Sequence, residues 1–528
     1  MKMRRELYMI FVLIYFIVTK QGLPQTWPRN YFPSENSTPH VVTESYDRGF
    51  LIGGDNYDSH FGYIIKTDIN GNPLWNKKVG LNNDTTTLCY IQQTYDGGII
   101  ISGAKTSIDP ALDVFFAKTD PCLILEWCKM YSSNFNQFDY GKEIYEIPGG
   151  YIALVEQFGD EIVTKRIWLF KLDMNGNILW QQFYGNTSPL IENETGCGLT
   201  ITLNQKYIIN GFCYYPDSGT TQPLYLRPFI VKVDSNGIVD WELPWSSVYG
   251  ESFHGESYQA ITDNNNIIYS CGRHIESSST PPGDRPTMLK TDANGNELSY
   301  HDLIPNTWQA VFYNINWFQD STIEIDGGWS FSPTQIGQIG VYKIDKNGNI
   351  LDSANIVNSI YCFTDAIIDQ DDKIFLVQGP YINNQWHTYA WKLNSDLEYD
   401  TLYTQPMVYD SLCPYPIASD TIPLDCEVVG LDEPFTNPET SRLKVYPNPA
   451  SDILHIGIPE KLKTETSTPA FNITTVYHQW RSAAVEVYDL FGRRVFSKEV
   501  TPADKELSID VSAWHAGMYV VRDRKSVV

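Results

Sequence analysis

One phrase, restated along the chain, limits the possible fold more than any other feature. From Lys66 to Trp75 the sequence reads Lys-Thr-Asp-Ile-Asn-Gly-Asn-Pro-Leu-Trp. It returns at Lys171–Trp180, Lys232–Trp241, Lys290–Ser299 and Lys343–Asp352, with a degenerate copy at Lys118–Trp127 and a shortened one from Lys392. In most copies an Asp closes an apolar run, Asn-Gly follows two residues later, and Leu-Trp or a relative opens the next run. Asn-Gly between apolar runs predicts a β-hairpin with a type I′ turn, in which both central residues take positive φ.

A second marker alternates with the first. Turn-forming residues stand at Tyr46 to Gly49, Asp96-Gly97-Gly98, Pro148-Gly149-Gly150, Asn204 to Lys206, Asn264 to Asn266, Asp326-Gly327-Gly328 and Gln370 to Lys373. Between the two sets of turns each unit holds four strands; in the first these are His40–Ser45, Phe50–Gly53, Phe61–Thr67 and Asn72–Val79. Four-stranded units at a fixed period predict the blades of a β-propeller. The fold class expected is all-β: a seven-bladed propeller (six to eight by the markers) followed by a small antiparallel β-sandwich. Trp75, Trp127, Trp180 and Trp241 recur at one place in the unit and should pack between neighbouring blades. Asp68, Asn70 and Asn72 superficially resemble a calcium loop. The full pattern is missing, however, and Asx-turn chemistry accounts for them without a metal.

The boundaries expected are a signal peptide at 1–22, propeller repeats at 28–410, a Pro-rich acidic linker at 411–440 and a C-terminal module at 441–528. Lys2, Arg4 and Arg5 precede an apolar run from Leu7 to Val18 that is too short to span a bilayer, which is the pattern of a secretory leader. Over 528 residues the net charge is −25, so a general basic field for nucleic acid or an anionic membrane is excluded. Export permits oxidation of the nine cysteines. Cys122 with Cys128, and Cys413 with Cys426, are the local candidates for disulfides, while Cys89, Cys271 and Cys362 read as buried apolar residues.

From Leu443 the pattern changes. Alternating strands broken by turns give a candidate core of Tyr446, Ile453, Leu454, Val487, Leu490, Val495, Leu507, Val511 and Tyr519. Three stretches stand in order: Tyr446-Pro-Asn-Pro449 with Asp452, Val487-Tyr-Asp-Leu-Phe-Gly-Arg-Arg494, and Leu507 to Tyr519 with its Gly-Met-Tyr. They closely resemble the C-terminal sorting domain of the type IX (Por) secretion system of Bacteroidetes. The resemblance implies export across the outer membrane by the type IX machinery, and a secreted or cell-surface location. It also implies a Gly-Lys-rich final strand beyond the point where this sequence ends, so the tail is expected to be truncated. The repeat region resembles, more loosely, uncharacterised secreted bacterial β-propeller proteins.

The sequence offers no catalytic, metal or cofactor motif: no Gly-x-Ser-x-Gly, no His-Glu-x-x-His and no phosphate loop. Function is therefore sought where the repeats differ. In the fourth and fifth units the links between second and third strands look long, Phe212 to Arg227 and Arg273 to Pro286. They suggest adjacent loops that bring together Tyr214, Tyr215, Tyr225, Arg227, Arg273 and His274 as a binding site. The reading is a monomeric exported protein that binds a glycan or protein ligand without catalysis. The alternative is a polysaccharide lyase or glycoside hydrolase with its site in the central channel.

Overall fold

The computed structural model describes residues 26–81, 84–106, 112–132, 138–158, 166–184, 192–216, 224–244, 255–276, 283–304, 306–318, 321–332, 337–359, 362–405 and 407–430; in the tail it describes 444–446, 453–457, 483–489, 493–500, 506–512, 514 and 519–525. The leader expected at 1–22 lies outside them. Every regular element described is a β-strand. Contacts divide the chain into two units, Met1–Asp432 and Glu433–Val528.

The first unit is a ring of seven antiparallel sheets. Blade 1 is built from Ser37–Glu44, Phe50–Asn56, Phe61–Thr67 and Pro73–Val79, running from the channel outward. Blades 2 to 6 repeat it. Blade 7 takes Cys362–Ile368, Ile374–Ile382 and Tyr389–Leu393 from its own stretch of chain and its outermost strand, Arg29–Asn30, from the N-terminus. Alternate residues of each sheet pack toward the preceding and the following blade. Leu51 and Ile64 meet Leu88 and Ile101 of blade 2, while Phe50 and Ile52 meet Phe375 and Val377 of blade 7. The ring is closed by packing as well as by that strand, which leaves only short outer edges on the blades.

The repeated phrase is explained part by part. Asp68 Oδ1 accepts the backbone N–H groups of Asn70 and Asn72, both at 2.8 Å, and Asn72 Nδ2 donates to Asp68 Oδ2 at 2.9 Å. The same bonds recur at Asp173, Asp292 and Asp345. The loop's own amides thus occupy the carboxylate. The turn differs from the type I′ expectation: Gly71 takes φ of +72° and Asn70 does not go positive. Gly71 N–H bonds to Asp68 C=O and the register slips between Lys66 and Thr67, which is a type I turn followed by a glycine bulge. The Asp side chain caps the right-handed turn, so one left-handed residue suffices.

The other two parts of the phrase join neighbours. A Cβ on Gly176, Gly237 or Gly295 would strike the ring of Trp127, Trp180 or Trp241 of the preceding blade. Trp127 Nε1 and Trp241 Nε1 each donate at 3.0 Å to a carbonyl of the next blade's turn. The opening Lys does the same. Lys171, Lys232, Lys290, Lys343 and Lys392 each donate to the carbonyl just after the turn's first residue in the next blade, Ser235, Ala293, Lys346, Ser395 and Ile69. The last of these bonds runs from blade 7 back to blade 1.

Four further expectations are corrected. Asp326-Gly327-Gly328 is no turn but the middle of the strand Thr322–Ser330. The long links of blades 4 and 5 are mostly strand, since Tyr207–Pro216 pairs with Leu224–Val233 and Ile268–Glu276 with Gly283–Thr291. The third concerns the linker. Residues 411–430 fold back as a strap over the outside of blades 1 and 2, with Thr421–Ile422 parallel to Pro73–Val79 and Glu427–Gly430 parallel to Leu125–Ser132. Ile422 and Leu424 are buried in the core shared by those blades. The disulfides are Cys122–Cys413 and Cys128–Cys426, with Cα atoms 5.0 and 4.4 Å apart, and not the sequence-local pairs. The strap carries its two cysteines alongside the two in blade 2. Cys271 is buried as expected, Cys89 is only partly so, and the Cys362 side chain lies outside the described residues.

The second unit contains two three-stranded sheets. Ile453–Gly457 lies between Lys444–Tyr446 and Glu506–Asp510, and Ala483–Asp489 lies between Arg494–Val500 and Tyr519–Lys525. Tyr519–Lys525 pairs along the full length of Ala483–Asp489. Leu454, Val487, Leu507 and Val511 are buried as expected, together with Val485 and Ile509, whereas Ile453 is 49% exposed. Ile453 pairs with Asp510 on the outer side of its strand, while Leu454 pairs with Ile509. The side chains of Tyr446, Leu490 and Tyr519 lie outside the described residues.

Candidate functional site

Strands that alternate in direction sort the connections onto two faces. One face carries the turns between first and second strands and the Asp-x-Asn-Gly hairpins, both nearly invariant from blade to blade. The other carries the second-to-third-strand hairpin ends and the crossings between blades, where the copies differ.

Toward this varied face the innermost strands share a device. The register slips by one residue at His40, Cys89, Lys142, Cys197, Tyr258 and Tyr313, one in each of blades 1 to 6. Such bulges re-aim a side chain and draw the strands together. Opposite five of them stands a glycine; a Cβ on Gly54 or Gly272 would lie 2.0 or 2.1 Å from a carbonyl oxygen of the inner strand. Blade 7 has no slip, and its corresponding place holds Gln378. Six equivalent positions around one channel thus carry an imidazole, two thiols, an ammonium and two phenols.

Charged partners surround them. His40 Nε2 lies 3.2 Å from Asp55, Lys142 Nζ lies 3.5 Å from Glu156, and Arg273 grips Glu256 while its Nη1 lies 2.9 Å from Asp284. Lys142 keeps 36% of its side chain accessible, consistent with a channel wall. Burial works against its charge, yet the Glu156 carboxylate holds its pKa above the usual lysine value. Burial pushes the Cys89 thiol up to about 12 and carries Cys197 higher still. Tyr140 and Tyr258 are raised for the same reason. These phenols and thiols are neutral at physiological pH, so they offer hydrogen bonds rather than nucleophiles. Tyr258 and Tyr313 meet edge to face at 5.1 Å.

Other carboxylates stitch the ring. Asp365 accepts Val42 N–H at 2.7 Å and Asp55 accepts Leu88 N–H at 2.8 Å, each across a blade boundary. Glu143 accepts Leu199 N–H at 2.8 Å and Gln259 Nε2 at 2.9 Å, joining blades 3, 4 and 5. Its burial raises the carboxyl to about 7. Among the described residues no three His, Cys, Asp or Glu side chains converge closely enough to hold a metal ion.

The residues expected as a binding cluster are not all brought together. Arg227 is fully buried and pairs across its sheet with Cys213, on the side packed against blade 3. Arg273 pairs with Pro286 next to Cys271, on the side toward blade 6, and its charge belongs to the channel mouth. His274 turns the other way, with Nδ1 3.3 Å from Asp302. Tyr214, Tyr215 and Tyr225 lie in strands at the hairpin end of blade 4, and their side chains are outside the described residues. His40, Cys89, Lys142, Cys197, Tyr258 and Tyr313 do not stand out in the sequence as a set. Their signal, one extra residue breaking apolar alternation at one place in each unit, becomes visible once the copies are aligned on their turns.

Residues 444–526 match the family described as the secretion system C-terminal sorting domain. The tail is a type IX sorting domain. It marks the chain for export by the type IX system to the cell surface or the extracellular space, and makes the secretion machinery a partner. No curated protein matches the chain. Among solved structures, a protein of unknown function from Dyadobacter fermentans is similar at 9% identity over 59% of this chain and 96% of its own, TM-score 0.41. An ulvan lyase is similar at 9% identity over 70% and 96%, TM-score 0.46. An α-L-arabinofuranosidase of Fusarium graminearum is similar at 10% over 58% and 93%, TM-score 0.38. Likenesses of this size say nothing of activity.

Proposed function

We propose that the ring is a non-catalytic binding module displayed outside the cell, taking a glycan or protein ligand on the face that carries the channel mouth. One observation carries this reading. Positions that serve the fold repeat their residue type, as the Lys, Asp, Gly and Trp of the phrase do. The six bulge positions repeat their geometry but differ in chemistry. Hydrogen-bonding phenols, an ammonium and an imidazole around a rigid opening suit a polar ligand. Arg273 contributes from the mouth, and Tyr214, Tyr215 and Tyr225 would extend the surface at the blade 4 hairpin end.

A glycan-array and polysaccharide-turnover screen of the full chain tests this. Binding is expected without turnover, and Lys142→Met or Tyr258→Phe should weaken it about tenfold, the worth of a hydrogen bond to a charged or well-placed group. Turnover that vanishes in the same variants would establish a channel lyase or hydrolase instead.

Export is tested separately. Deleting residues 444–526 should leave the protein inside the outer membrane, and fusing residues 441–528 to a periplasmic reporter should carry the reporter to the surface or medium. A reporter retained in the periplasm would show that this tail does not function as a signal.

A further inference from the structure

Between blades 6 and 7 the polar bonding is incomplete. Glu324 and Asp326 stand two residues apart on the side of their strand that faces blade 7, and they are 1% and 0% exposed. Asn316 donates to Glu324 Oε2 at 3.0 Å and Thr364 to Asp326 Oδ2 at 2.7 Å. Glu324 Oε1 and Asp326 Oδ1 are buried and accept no hydrogen bond of ordinary geometry; Asn314 stands near Asp326, but its amide donates to Asp365 and to Ala366 C=O. Across the boundary, Gln378 is 0% exposed and neither atom of its amide has a partner. Gln378 pairs with Thr364, the residue that reaches Asp326, so its side chain enters the same gap.

There is space as well. Gly328 is next on the Glu324–Asp326 side of its strand, and a Cβ built there would meet nothing nearer than 3.6 Å. At its neighbour Gly327 the same atom would lie 2.1 Å from Val311 O. The third carboxylate nearby, Asp365, already accepts Val42 N–H at 2.7 Å and Asn314 Nδ2 at 3.0 Å. Among the described residues no Lys, Arg or His forms an ion pair with Glu324 or Asp326. Two buried carboxylates without a counter-charge are strongly disfavoured, so the gap must take up either protons or a cation.

We propose that this chamber is a calcium site, held by Glu324 Oε1, Asp326 Oδ1 and the amide oxygen of Gln378, with water filling the space beside Gly328. Two carboxylates, one amide oxygen and room for water suit a hard divalent ion. Calcium tolerates irregular oxygen shells, whereas magnesium demands a near-ideal octahedron. The ion satisfies both orphaned carboxylate oxygens and one end of an amide that nothing else satisfies. It also ties blade 6 to blade 7 beside the channel.

The test uses the full chain, stripped with a chelator, dialysed and titrated with calcium chloride alone. Calorimetry should show one ion per chain, and the unfolding midpoint should rise by about 3 °C at a hundredfold excess over Kd. Magnesium should bind at least about tenfold more weakly. Gln378→Leu and Glu324→Gln should each weaken calcium binding about tenfold or more. Gln378→Leu replaces an unsatisfied amide by an apolar group of similar size, so without calcium it should melt no lower than the parent. Absence of heat and of any shift in the parent would mean that protons and water fill the chamber, and would overturn the proposal. Calcium binding unchanged in both variants would place the ion elsewhere and overturn it equally.

Discussion

Replacing Cys413 and Cys426 together with serine is expected to lower the unfolding midpoint by up to about 11 °C, more than the two single replacements combined. The first bridge to close joins residues 291 or 298 apart, for which the chain-entropy formula gives a ceiling of about 6 kcal/mol. The second then closes a loop of about 20 residues, with a ceiling of about 3 kcal/mol. Either single variant keeps the long-loop bridge and loses about 3 kcal/mol at most, while the double loses about 9. At about 0.8 kcal/mol per degree for a ring of roughly 400 residues, these become about 4 and 11 °C. Non-covalent contacts hold the strap as well: Ile422 and Leu424 are buried, and Lys105 donates to Leu424 C=O at 2.9 Å. The double variant should therefore still fold, with lower stability. Thermal melts of the parent, both singles and the double decide it. Additive losses, or none, would show that the bridges do not restrain the unfolded chain.

The strap also shows where sequence reasoning reaches its limit. Its strands are two and four residues long and pair in parallel with strands about 300 or more residues earlier. Neither has a period to detect, and its prolines and acids have the composition of a linker. The Asp-x-Asn-Gly phrase was legible because local chemistry dictates it: one carboxylate, two amides and one left-handed glycine. Even there the turn type was misjudged, since Asn-Gly serves both the I′ turn and the type I turn with a bulge. Gly327-Gly328 was misread for a related reason. Glycine meets two needs, positive φ in a turn and a missing Cβ where strands crowd, and sequence alone does not separate them. The expected binding cluster shows a third limit. Extended strands place neighbouring residues on opposite faces, so Arg273 and His274 diverge, and the two long links are paired strands rather than loops. The tail was the most legible part, because three motifs in fixed order are more specific than any period.

Replacing Lys392 with methionine is expected to destabilise the ring by about 3–5 kcal/mol, the loss typical of breaking a buried ion pair from one side. Lys392 is the last copy of the repeated lysine. Its Nζ lies 2.8 Å from Asp369 Oδ2, with both side chains 1% exposed, and it donates to Ile69 C=O of blade 1 at 3.1 Å. It also stands 5.1 Å from the centre of the Phe50 ring, across the seam where the two ends of the ring meet. Methionine fills the space and leaves Asp369, whose Oδ1 caps the turn through Asp371 and Lys373 N–H groups, buried without its cation. Lys343→Met is the matched control. Its ammonium meets Ser395 C=O at 3.2 Å and the Phe318 ring at 4.9 Å, and among the described residues it forms no ion pair, so about 1–2 kcal/mol should be lost. Adding Asp369→Asn to Lys392→Met should recover part of the loss, because the stranded charge goes with it. Chemical denaturation of the three variants and the parent separates the contributions. If Lys392→Met and Lys343→Met lose the same amount, the seam is held by the carbonyl bond that blades 3 to 7 share. If Lys392→Met loses more and Asp369→Asn restores it, closure rests on the buried charge pair that Lys392 adds to its hydrogen bond.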